Sequence, residues 1–568
     1  MSESGGDMLL NLLHNCGIEY IFCSPGTEWT PVWEGLVKRQ SQGDDSLKYI
    51  NCRHETLAVS MAMGYAKATR KLPAILLHAS VGALSGSVAI RNAFIGRVPI
   101  LIFAGETTEH TGDAEVRAQG WHWLGLLSDI GGPANLVKNY VKWSNRISSQ
   151  KILTDSIYRG CQIAQTSPRG PVFLSVTTDV MLRSCDNPDT ARHYPLVISN
   201  PPAETDLKEA ARQLIQSKNP MIITEHTGRT PGIVNKLTDL AELLNIPVYE
   251  GSLPYYANFA KDNPLYAGYN VAEALPEADT ILVVGAITPW YPPSAISGSH
   301  ARIIQMNEAP CFENLPYHGY RCDISITGDI EQGLTALLNV LQSEKDNIQT
   351  TSSKKIEKRE ALSKRHDEMI SLWYKEAEQE KDNTPISARW FLHLTRKILP
   401  ADAIIMDETL THSRFVHQYT GIPGGYYKSA YGGLGVGMGE AAGVKLANAD
   451  RPVVLVTGDG AFNYNPVLAG LGLYQEYRLP IIILILNNGG YGAMRLGYQR
   501  LYPEGQAIRQ NTYLGTDITP APDYVKTAEA FGAYGERLTT PSEIEPALKR
   551  ALERLQEGRT TLLDVIMT

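Results

Sequence analysis

The sequence lacks any apolar run of the roughly 18 residues that a membrane-spanning helix needs, and it lacks an excess of positive charge. Its 52 Lys and Arg residues are outnumbered by 60 Asp and Glu residues, so the net charge of −8 argues against broad nucleic-acid binding. The seven cysteines are scattered without a CxxC pair, which disfavours zinc and is typical of reduced thiols. The start, MSESGGDMLLNLL, has no basic-then-apolar layout of a signal peptide, and we therefore expect a cytoplasmic protein.

The chain instead shows the same sequence pattern in three stretches: short Val/Ile-rich runs alternate with amphipathic Ala/Leu-rich segments. This alternation predicts an α/β fold with parallel sheets and crossover helices. Because 568 residues are too many for one core, we expect three doubly wound parallel-sheet domains, at residues 1–183, 205–342 and 385–568. A Pro- and Asn-bearing linker separates the first two domains. A charge-dense, partly helical connector separates the last two.

One segment, VVLVTGDGAFNYNPVLAGLGLYQEYRLPIIILILNNGGYGAMR, carries the strongest chemical signal. An apolar strand ends at GDG, a helix-like stretch follows, and a second apolar strand ends at NN about thirty positions later. Strand, crossover and strand form a βαβ unit, whose two strand ends lie side by side at the carboxyl edge of the sheet. GDG alone would more often be a tight turn, but its pairing with NN at this distance indicates a ligand site.

The residue types at these strand ends suit a metal and an anion. Asp459, Asn488 and the backbone carbonyl of Gly490 offer oxygen ligands of the kind that Mg²⁺ or Ca²⁺ prefers. Gly460 and Ala461 place backbone N–H groups at a helix start, where an anion is favoured. The segment therefore predicts a metal–diphosphate clamp.

This segment resembles the signature of the thiamine diphosphate enzymes of the decarboxylase and acetolactate synthase superfamily. The likeness extends over essentially the whole chain, through GIEYIFCSPGTEWTPVWEGL, RHETLAVSMAMGYAKATRK and SAYGGLGVGMGEAAGVKLA. LLHAS, YVKWS and NNGGYGAMR are most similar to the benzoylformate decarboxylases. The resemblance implies pyrimidine-binding, central and diphosphate-binding domains, thiamine diphosphate and Mg²⁺. It implies metal ligation by Asp459, Asn488 and Gly490, and cofactor contacts from Glu55, Leu410, Thr411, Gly432, Leu434, Gly458, Asp459, Gly460, Ala461, Asn488, Gly490 and Tyr491.

Glu55 opens the helix that follows RH, where a carboxylate could simply complement the positive end of the helix. The resemblance implies instead that it hydrogen-bonds the pyrimidine N1′ and favours the imino tautomer that deprotonates thiazolium C2. That coupling is strong only where water is excluded. Leu434 would hold the cofactor bent, and Gly432 would offer its carbonyl. Leu410 backbone and the Thr411 hydroxyl would hold the diphosphate, although Thr is also a common helix cap.

Two residues are candidates for substrate chemistry. His78 ends the strand PAILLHAS, and Thr27 stands in SPGTEW, where benzoylformate decarboxylases carry a histidine and a serine. Either could be structural, as a satisfied strand histidine or a turn-capping threonine. Glu28 is a further polar candidate.

The resemblance is incomplete in the middle of the chain. The second active-site histidine of benzoylformate decarboxylases has no counterpart in GAITPWYPPSAISG, and the paired histidines of pyruvate decarboxylases are absent. We expect Gln119 and His122, or His110, to replace them as proton donors. The aromatics of QGWHWL would shape an acyl pocket or form a buried cluster. The turn TEHTGRTPG lacks the Gly-rich form of flavin-binding acetolactate synthases, so FAD is not expected.

These features predict a thiamine diphosphate- and Mg²⁺-dependent decarboxylase or carboligase that acts on a 2-oxo acid through a C2 carbanion and an enamine. The alternative is an acetolactate synthase-like transferase, which couples the enamine to a second keto acid or ketone. A third hypothesis, an inactive regulatory homologue, would be expected to have lost the Glu or the GDG aspartate, and both are present. The resemblance implies a homodimer or homotetramer with active sites between subunits, and no nucleic-acid or membrane partner.

Overall fold

The computed structural model describes residues 3–108, 124, 129–185, 194–197, 201–251, 254–296, 298–344, 352–429 and 432–567. None of the helices in these ranges combines the length and the hydropathy required to cross a membrane. Contacts divide the chain into two compact units. The first comprises Met1–Val197, Ser429–Arg537 and Arg550–Asp564, and the second comprises Ile198–Lys428, Leu538–Lys549 and Val565–Thr568.

The first sheet lies within the first unit, and its described strand pairs are parallel. Its strand order is β3-β2-β4-β5-β7-β6. Strands β1 and β8 form a separate short antiparallel pair. These strands are β1 (Glu3–Ser4), β2 (Tyr20–Cys23), β3 (Lys48–Asn51), β4 (Ala74–Leu77), β5 (Leu101–Glu106), β6 (Trp143–Ile147), β7 (Val172–Thr177) and β8 (Ser184–Cys185).

The second sheet lies within the second unit and is also parallel, with strand order β10-β9-β11-β12-β13. Alternate residues of its strands enter two different cores: Leu282 and Val284 enter one, and Ile281 and Val283 enter the other. Since both faces are buried, the strands read as continuous apolar runs. They are β9 (Pro220–Thr224), β10 (Val248–Glu250), β11 (Thr280–Val284), β12 (Arg302–Asn307) and β13 (Ile324–Thr327).

The third sheet contains the strands of the C-terminal stretch. In the first unit β16, β17, β19 and β18 are neighbours in that order, and in the second unit β14 pairs with β15. The β14–β15 and β16–β17 pairs are parallel. The strands are β14 (Ile404–Glu408), β15 (Tyr426–Lys428), β16 (Val453–Gly458), β17 (Ile482–Asn487), β18 (Tyr534–Leu538) and β19 (Thr561–Ile566).

Helices connect the strands throughout. The N-terminal stretch contains α1 (Gly5–Asn15), α2 (Thr30–Ser41), α3 (Glu55–Thr69), α4 (Ala79–Ser85), α5 (Ser87–Ile95), α6 (Pro133–Leu136), α7 (Gln150–Gln165) and α8 (Thr178–Leu182). The central stretch and connector contain α9 (Glu204–Gln216), α10 (Pro231–Leu244), α11 (Val271–Ala274), α12 (Ile330–Ser343) and α13 (Ser352–Gln379). The C-terminal stretch contains α14 (Ala388–Ile398), α15 (Ser413–Thr420), α16 (Gly437–Ala447), α17 (Asp459–Tyr464), α18 (Val467–Glu476), α19 (Gly492–Leu501), α20 (Gln506–Arg509), α21 (Tyr524–Glu529) and α22 (Ile544–Gln556).

Short 3₁₀ turns complete the described elements. They are Thr27–Trp29, Lys138–Tyr140, Thr227–Arg229, Leu275–Glu277, Pro293–Ile296 and Pro541–Glu543. The predicted α/β class with three parallel sheets is confirmed. The connector expected to be partly helical is mostly the single helix α13.

Candidate active site

Three candidate residues lie at the carboxyl edge of the first sheet, because each follows one of its adjacent strands β3, β2 and β4. Thr27 begins the 3₁₀ turn after β2, Glu55 begins α3 after β3, and His78 is the N-cap of α4 after β4. The sheet therefore gathers side chains that are up to about fifty positions apart in sequence at the edge where α/β proteins bind ligands.

Glu28 and His78 form a close ion pair at this edge. The His78 Nδ1 lies 2.9 and 2.8 Å from the two Glu28 carboxylate oxygens, and Ala79 N–H donates to Oε1 at 3.1 Å. The Glu28 side chain is 5% exposed and the His78 side chain 42% exposed. Two glycines make room, since a Cβ would lie 2.3 Å from His78 Nδ1 at Gly26 and 1.9 Å from Glu28 Cγ at Gly105. The hydrogen bond to Glu28 raises the pKa of His78 despite the opposing effect of burial.

Glu55 is half-buried, and its Oε2 accepts a hydrogen bond from Ser85 Oγ at 2.9 Å. Its helix starts at an N-cap, His54, whose Nδ1 accepts from Thr56 N–H at 3.1 Å. The carboxylate thus lies at the first turn of α3, at the sheet edge, where Ser85 holds its Oε2. This placement is compatible with the predicted hydrogen bond to a bound ring.

Helix α3 packs against α16 so closely that backbones touch. A Cβ at Gly64 would lie 2.0 Å from the Glu440 carbonyl, and one at Gly443 would lie 1.9 Å from the Met61 carbonyl. Lys67 donates to Glu440 Oε2 at 2.9 Å, and both side chains are buried. Burial raises the pKa of Glu440, and Lys67 opposes this effect. The helix that carries Glu55 is therefore fixed to the helix that follows the Gly432–Leu434 loop.

The loop that contains Gly432 and Leu434 is held from both sides. Asn92 Nδ2 donates to the Gly433 carbonyl at 2.7 Å, and Gly435 lies against the Tyr464 carbonyl, 2.4 Å from where its Cβ would be. Gly432 is exposed with φ +71°, so glycine is favoured there, and Leu434 is half-buried. The loop thus presents a glycine backbone and an apolar side chain, as the prediction requires.

Strands β16 and β17 end side by side, with Gly458 in register with Leu486. Asp459 is 3% exposed, and its Oδ2 has no hydrogen-bond partner within the described structure. Burial raises the pKa of Asp459, although backbone N–H groups of Gly460 and Gly490 oppose the shift. A buried carboxylate with a bare oxygen is costly unless a cation or proton meets it, so the site fits a divalent metal.

The residues after β17 shape the rest of this site. Asn488 is half-buried, and its Oδ1 accepts from Gly490 N–H at 3.3 Å. Tyr491 N–H donates to the Thr516 carbonyl at 2.6 Å, and the Tyr491 ring would lie 2.7 Å from a Cβ at Gly460. The described residues contain no group of three His, Cys, Asp or Glu side chains that could hold a metal. A metal here would therefore depend on amide and backbone oxygens beside Asp459.

The loop that contains Leu410 and Thr411 is anchored by Asp407 in the second unit. One Asp407 oxygen accepts from Thr409 N–H and Oγ1 at 2.7 and 2.6 Å, and the other accepts from Ser413 Oγ at 2.8 Å. Leu410 is 43% exposed, whereas Asp407 is fully buried. The base of the loop is fixed and its tip remains open to a ligand.

A buried lysine completes this anchor. Lys428 Nζ donates to the Thr409 carbonyl at 2.8 Å and to Ser413 Oγ at 2.6 Å, and lies 3.4 Å from Asp407 Oδ2. Tyr426 Oη also donates to Asp407 Oδ2, at 2.7 Å. Sequence reasoning missed both Asp407 and Lys428. A buried Asp at the end of an apolar strand, in IIMDE, was the available signal.

The edge of the central sheet is filled by its own side chains. Glu225 Oε2 accepts the backbone N–H groups of Ile287 and Thr288 at 2.7 and 3.1 Å. The His226 ring stacks on Tyr255 at 5.0 Å between centroids. In the segment GAITPWYPPSAISG, the Ile287 carbonyl lies 2.8 Å from Nε2 of His318, a histidine that sequence reasoning did not single out. Gln119, His122 and His110, expected as proton donors, lie outside the described residues.

Comparison with known proteins accounts for all three domains. Residues 3–122 match the N-terminal TPP binding domain of thiamine pyrophosphate enzymes, residues 207–337 match the central domain, and residues 410–565 match the C-terminal TPP binding domain. The motif-based resemblance is therefore confirmed.

Individual relatives include both predicted activities. The chain is 25% identical over 556 residues to benzoylformate decarboxylase of Pseudomonas aeruginosa, with 95% of each chain covered. It is 24% identical over 574 residues to the acetolactate synthase large subunit of Haemophilus influenzae, with 96% of this chain and 92% of that protein covered. The fold matches a solved 4-hydroxybenzoylformate decarboxylase of Rhodococcus jostii RHA1 with a TM-score of 0.80 at 23% identity, over 100% of this chain and 99% of that chain. The chain belongs to the thiamine pyrophosphate enzymes of the decarboxylase and acetolactate synthase family.

Proposed function

We propose that this protein is a thiamine diphosphate- and Mg²⁺-dependent decarboxylase or carboligase that acts on a 2-oxo acid. The observation that carries the proposal is the Glu28–His78 pair, one strand away from Glu55 on the same sheet edge. In its protonated form, the His78 imidazole at this edge can both attract an anionic substrate and deliver a proton.

The residues present fit the cofactor. Asp459, Asn488 and the Gly490 carbonyl would hold Mg²⁺, since Asp459 leaves a buried oxygen without a partner. The diphosphate would contact Leu410, Thr411, Gly458, Gly460, Ala461 and Tyr491. When bound, thiamine diphosphate supplies a nucleophilic carbon and an electron sink for decarboxylation.

Glu55 would hold a proton at pyrimidine N1′. Its place at the first turn of α3, with Ser85 donating to Oε2, orients the carboxylate. Gly432 and Leu434 would position the same ring system from the neighbouring loop. These roles need a site closed to water, because exclusion of water strengthens the hydrogen bond between a carboxylate and a ring nitrogen.

His78 would act on the substrate. Because Glu28 raises its pKa, the imidazole carries a proton nearer to neutral pH than a free histidine would. It can hold the substrate carboxylate and protonate the carbon left after carbon dioxide departs. Thr27, on the neighbouring strand end, would add a hydroxyl donor to the carboxylate.

A transferase resembling acetolactate synthase is the second candidate, and the acetolactate synthase relatives favour it. It would use the same residues up to loss of carbon dioxide and would then join a second carbonyl compound instead of a proton. An FAD requirement is not part of either proposal, since Glu225, His226 and Tyr255 occupy the edge of the central sheet.

The deciding experiment is a product assay with thiamine diphosphate and Mg²⁺, using pyruvate and benzoylformate as separate donors, with and without acetaldehyde or a second keto acid. Carbon dioxide with aldehyde alone supports the decarboxylase, and a hydroxyketone or acetohydroxy acid supports a carboligase or transferase. Thiamine diphosphate binding with no carbon dioxide from any donor would overturn both and favour a regulatory homologue.

A further inference from the structure

A cleft of about 820 Å³ lies within the second unit, and none of its lining residues belongs to the predicted active site. It is formed by α13, α14, the loop after α15 and the segment around Lys261. Sites for small organic molecules generally occupy about 300–1,000 Å³. The cleft is therefore large enough for a ligand of nucleotide size.

The lining carries three cations, Lys261, Arg396 and Lys397, and one acidic residue, Asp262. Within the described chain none of the three cations has a carboxylate within ion-pair distance; Lys261 donates to the Gly421 carbonyl and Arg396 to the Pro400 carbonyl at 3.4 Å. In a chain of net charge −8, a cluster of cations without carboxylate partners is unusual enough to need an explanation.

Helix ends explain part of this cluster. Arg396 and Lys397 lie in the last turn of α14, and Lys261 contacts Gly421 at the end of α15, so these cations complement helix dipoles. However, a helix C-terminus carries only about half an elementary charge, so two ends offset about one of the three cations. Even with Asp262 at the rim, the lining remains positive.

Two titratable groups of the lining respond to neighbouring cations. Burial lowers the pKa of Lys261 to about 8; the Glu250 carboxylate opposes this shift more strongly than Arg396 adds to it. Burial and then Lys397 lower the pKa of His393. Arg396 and Lys397 thus each repel the charged form of a neighbouring group in the lining, and a bound anion would reduce this repulsion.

Aromatic rings form another part of the lining. The Tyr374 and His393 rings meet edge to face at 5.4 Å between centroids, and Tyr374 is 54% exposed. The His393 and Tyr419 rings also meet edge to face, at 6.4 Å between centroids. The exposed Tyr374 ring beside the cations suits a ligand with a planar ring joined to an anionic chain.

We propose that this cleft binds a nucleoside diphosphate, with its base against Tyr374 and His393 and its phosphates at Lys261, Arg396 and Lys397. The assignment goes beyond the proposed catalytic function and does not depend on it, since no lining residue is part of the predicted active site. The same chemistry, a ring joined to phosphates, is shared by thiamine diphosphate, so the experiment must separate the two sites.

The test is isothermal titration of ADP and of inorganic pyrophosphate into the full chain, before and after saturation with thiamine diphosphate and Mg²⁺. The variant R396A/K397A is compared with K208A/K364A, which removes the same charge from side chains that are 65% and 78% exposed. We expect R396A/K397A to weaken both probes by about tenfold or more, and the control to change either by less than about twofold. K397A alone, at an exposed position, should give part of the loss if the double variant folds poorly.

The ring contact is tested separately with Y374A, which should weaken ADP severalfold, on the scale of one lost stacking contact, and leave pyrophosphate unchanged. Loss of ADP affinity in both charge variants alike would overturn the proposal as non-specific attraction. Displacement of ADP by thiamine diphosphate, or the absence of any ADP binding to the wild type, would also overturn it. Neither result would bear on decarboxylation, which is measured independently.

Discussion

At the scale of single residues, the Glu28–His78 pair combines a buried carboxylate with a half-exposed ring. The carboxylate is held by Ala79 N–H and has no room to move, because Gly26 and Gly105 pack against it. The ring is therefore fixed in direction while one face stays open to a substrate. Such an arrangement preorganises a proton donor, which is what a decarboxylation site requires at neutral pH.

Replacing Glu28 with Gln should lower the pKa of His78, because the hydrogen bond to the carboxylate is the main cause of its elevation. A raised histidine pKa contributes stability that is complete below about 6.5 and is lost as pH rises through the folded value. Activity requires protonated His78, so in the variant the alkaline limb of the activity profile should move to lower pH. The measurement is the pH dependence of kcat together with NMR titration of His78. An unshifted limb, or a shift of the same size in the exposed control E34Q, would contradict the pairing.

Glu55→Gln should reduce kcat by about 100- to 10,000-fold, the range typical of a lost acid–base group. The fold should be unchanged, because Glu55 is half-buried at a helix start and its Ser85 contact can be kept by an amide oxygen. Activity with saturating cofactor is compared with E34Q, and circular dichroism checks folding. Near-wild-type kcat would remove Glu55 from the mechanism.

Sequence reasoning placed candidate residues at strand ends correctly where the strands are apolar. Asp459 and Asn488 follow strands that are nearly continuous Val, Ile and Leu, so their position was readable. The contact between Glu28 and His78 was not readable, because it joins residues fifty positions apart and depends on β2 and β4 being neighbours. Strand order is a property of the folded sheet, and no local sequence pattern indicates which strands will be neighbours.

At the scale of elements, the contact between α3 and α16 depends on small residues at the crossing. Gly64, Gly439 and Gly443 let the two helices approach until backbones touch. The buried Lys67–Glu440 pair lies in the same contact. Because α3 starts at Glu55 and α16 follows the Gly432–Leu434 loop, this contact sets the geometry of two predicted cofactor-binding segments together.

Gly64→Ala should destabilise the protein by about 1–3 kcal/mol, since the new Cβ would lie 2.0 Å from the Glu440 backbone oxygen and the helices must separate. Gly497→Ala is the matched control: it is inside α19, and its new Cβ meets no atom within 4 Å. There the gain in helix propensity should leave stability unchanged or raise it by up to about 1 kcal/mol. Denaturant unfolding of both variants decides, and equal effects would refute the close-packing argument.

Asp407→Asn should loosen the Leu410–Thr411 loop and leave Lys428 buried without its carboxylate, at a cost of about 3–5 kcal/mol. We expect weaker thiamine diphosphate binding as well as a lower unfolding midpoint, whereas D382N, at an exposed aspartate, should change neither. Replacing both members as D407N/K428M should recover part of the lost stability, because the buried charge is removed. If the cofactor affinity of D407N equalled that of the wild type, this loop would not contribute to the diphosphate site.

Strands at sheet centres were predictable, whereas several strands at sheet edges were not. β6, β13 and β18 lie at the ends of their strand orders and are only partly buried, with sequences WSNRI, ISIT and YGERL. A half-exposed edge strand needs only one apolar face, so it leaves no continuous apolar run. The central strands, buried on both faces, produced the runs from which the fold class was inferred.

At the scale of the whole molecule, the first unit exposes large apolar side chains next to the predicted active-site residues. Val81 and Leu84, on the helix that His78 caps, are 58% and 57% exposed, and Tyr464 and Leu468, after the GDG motif, are 61% and 66% exposed. Clusters of exposed apolar residues near functional groups are typical of protein interfaces. A second copy of the chain is therefore expected to cover them, in agreement with the dimer or tetramer inferred from the resemblance.

If the active site forms between subunits, two inactive variants should restore each other. In a mixture of E55Q and D459N refolded or co-expressed at equal amounts, half of the dimers are hybrids, and each hybrid has one site with both native side chains. We therefore expect about a quarter of wild-type activity. The controls are each variant alone, which should stay inactive, and a mixture of E55Q with the double variant E55Q/D459N, which has no intact combination. Hybrids isolated with two affinity tags should account for all of the recovered activity. Absence of recovery in verified hybrids would mean that Glu55 and Asp459 act within one subunit, and activity in the control mixture would mean that the recovered activity does not require Glu55.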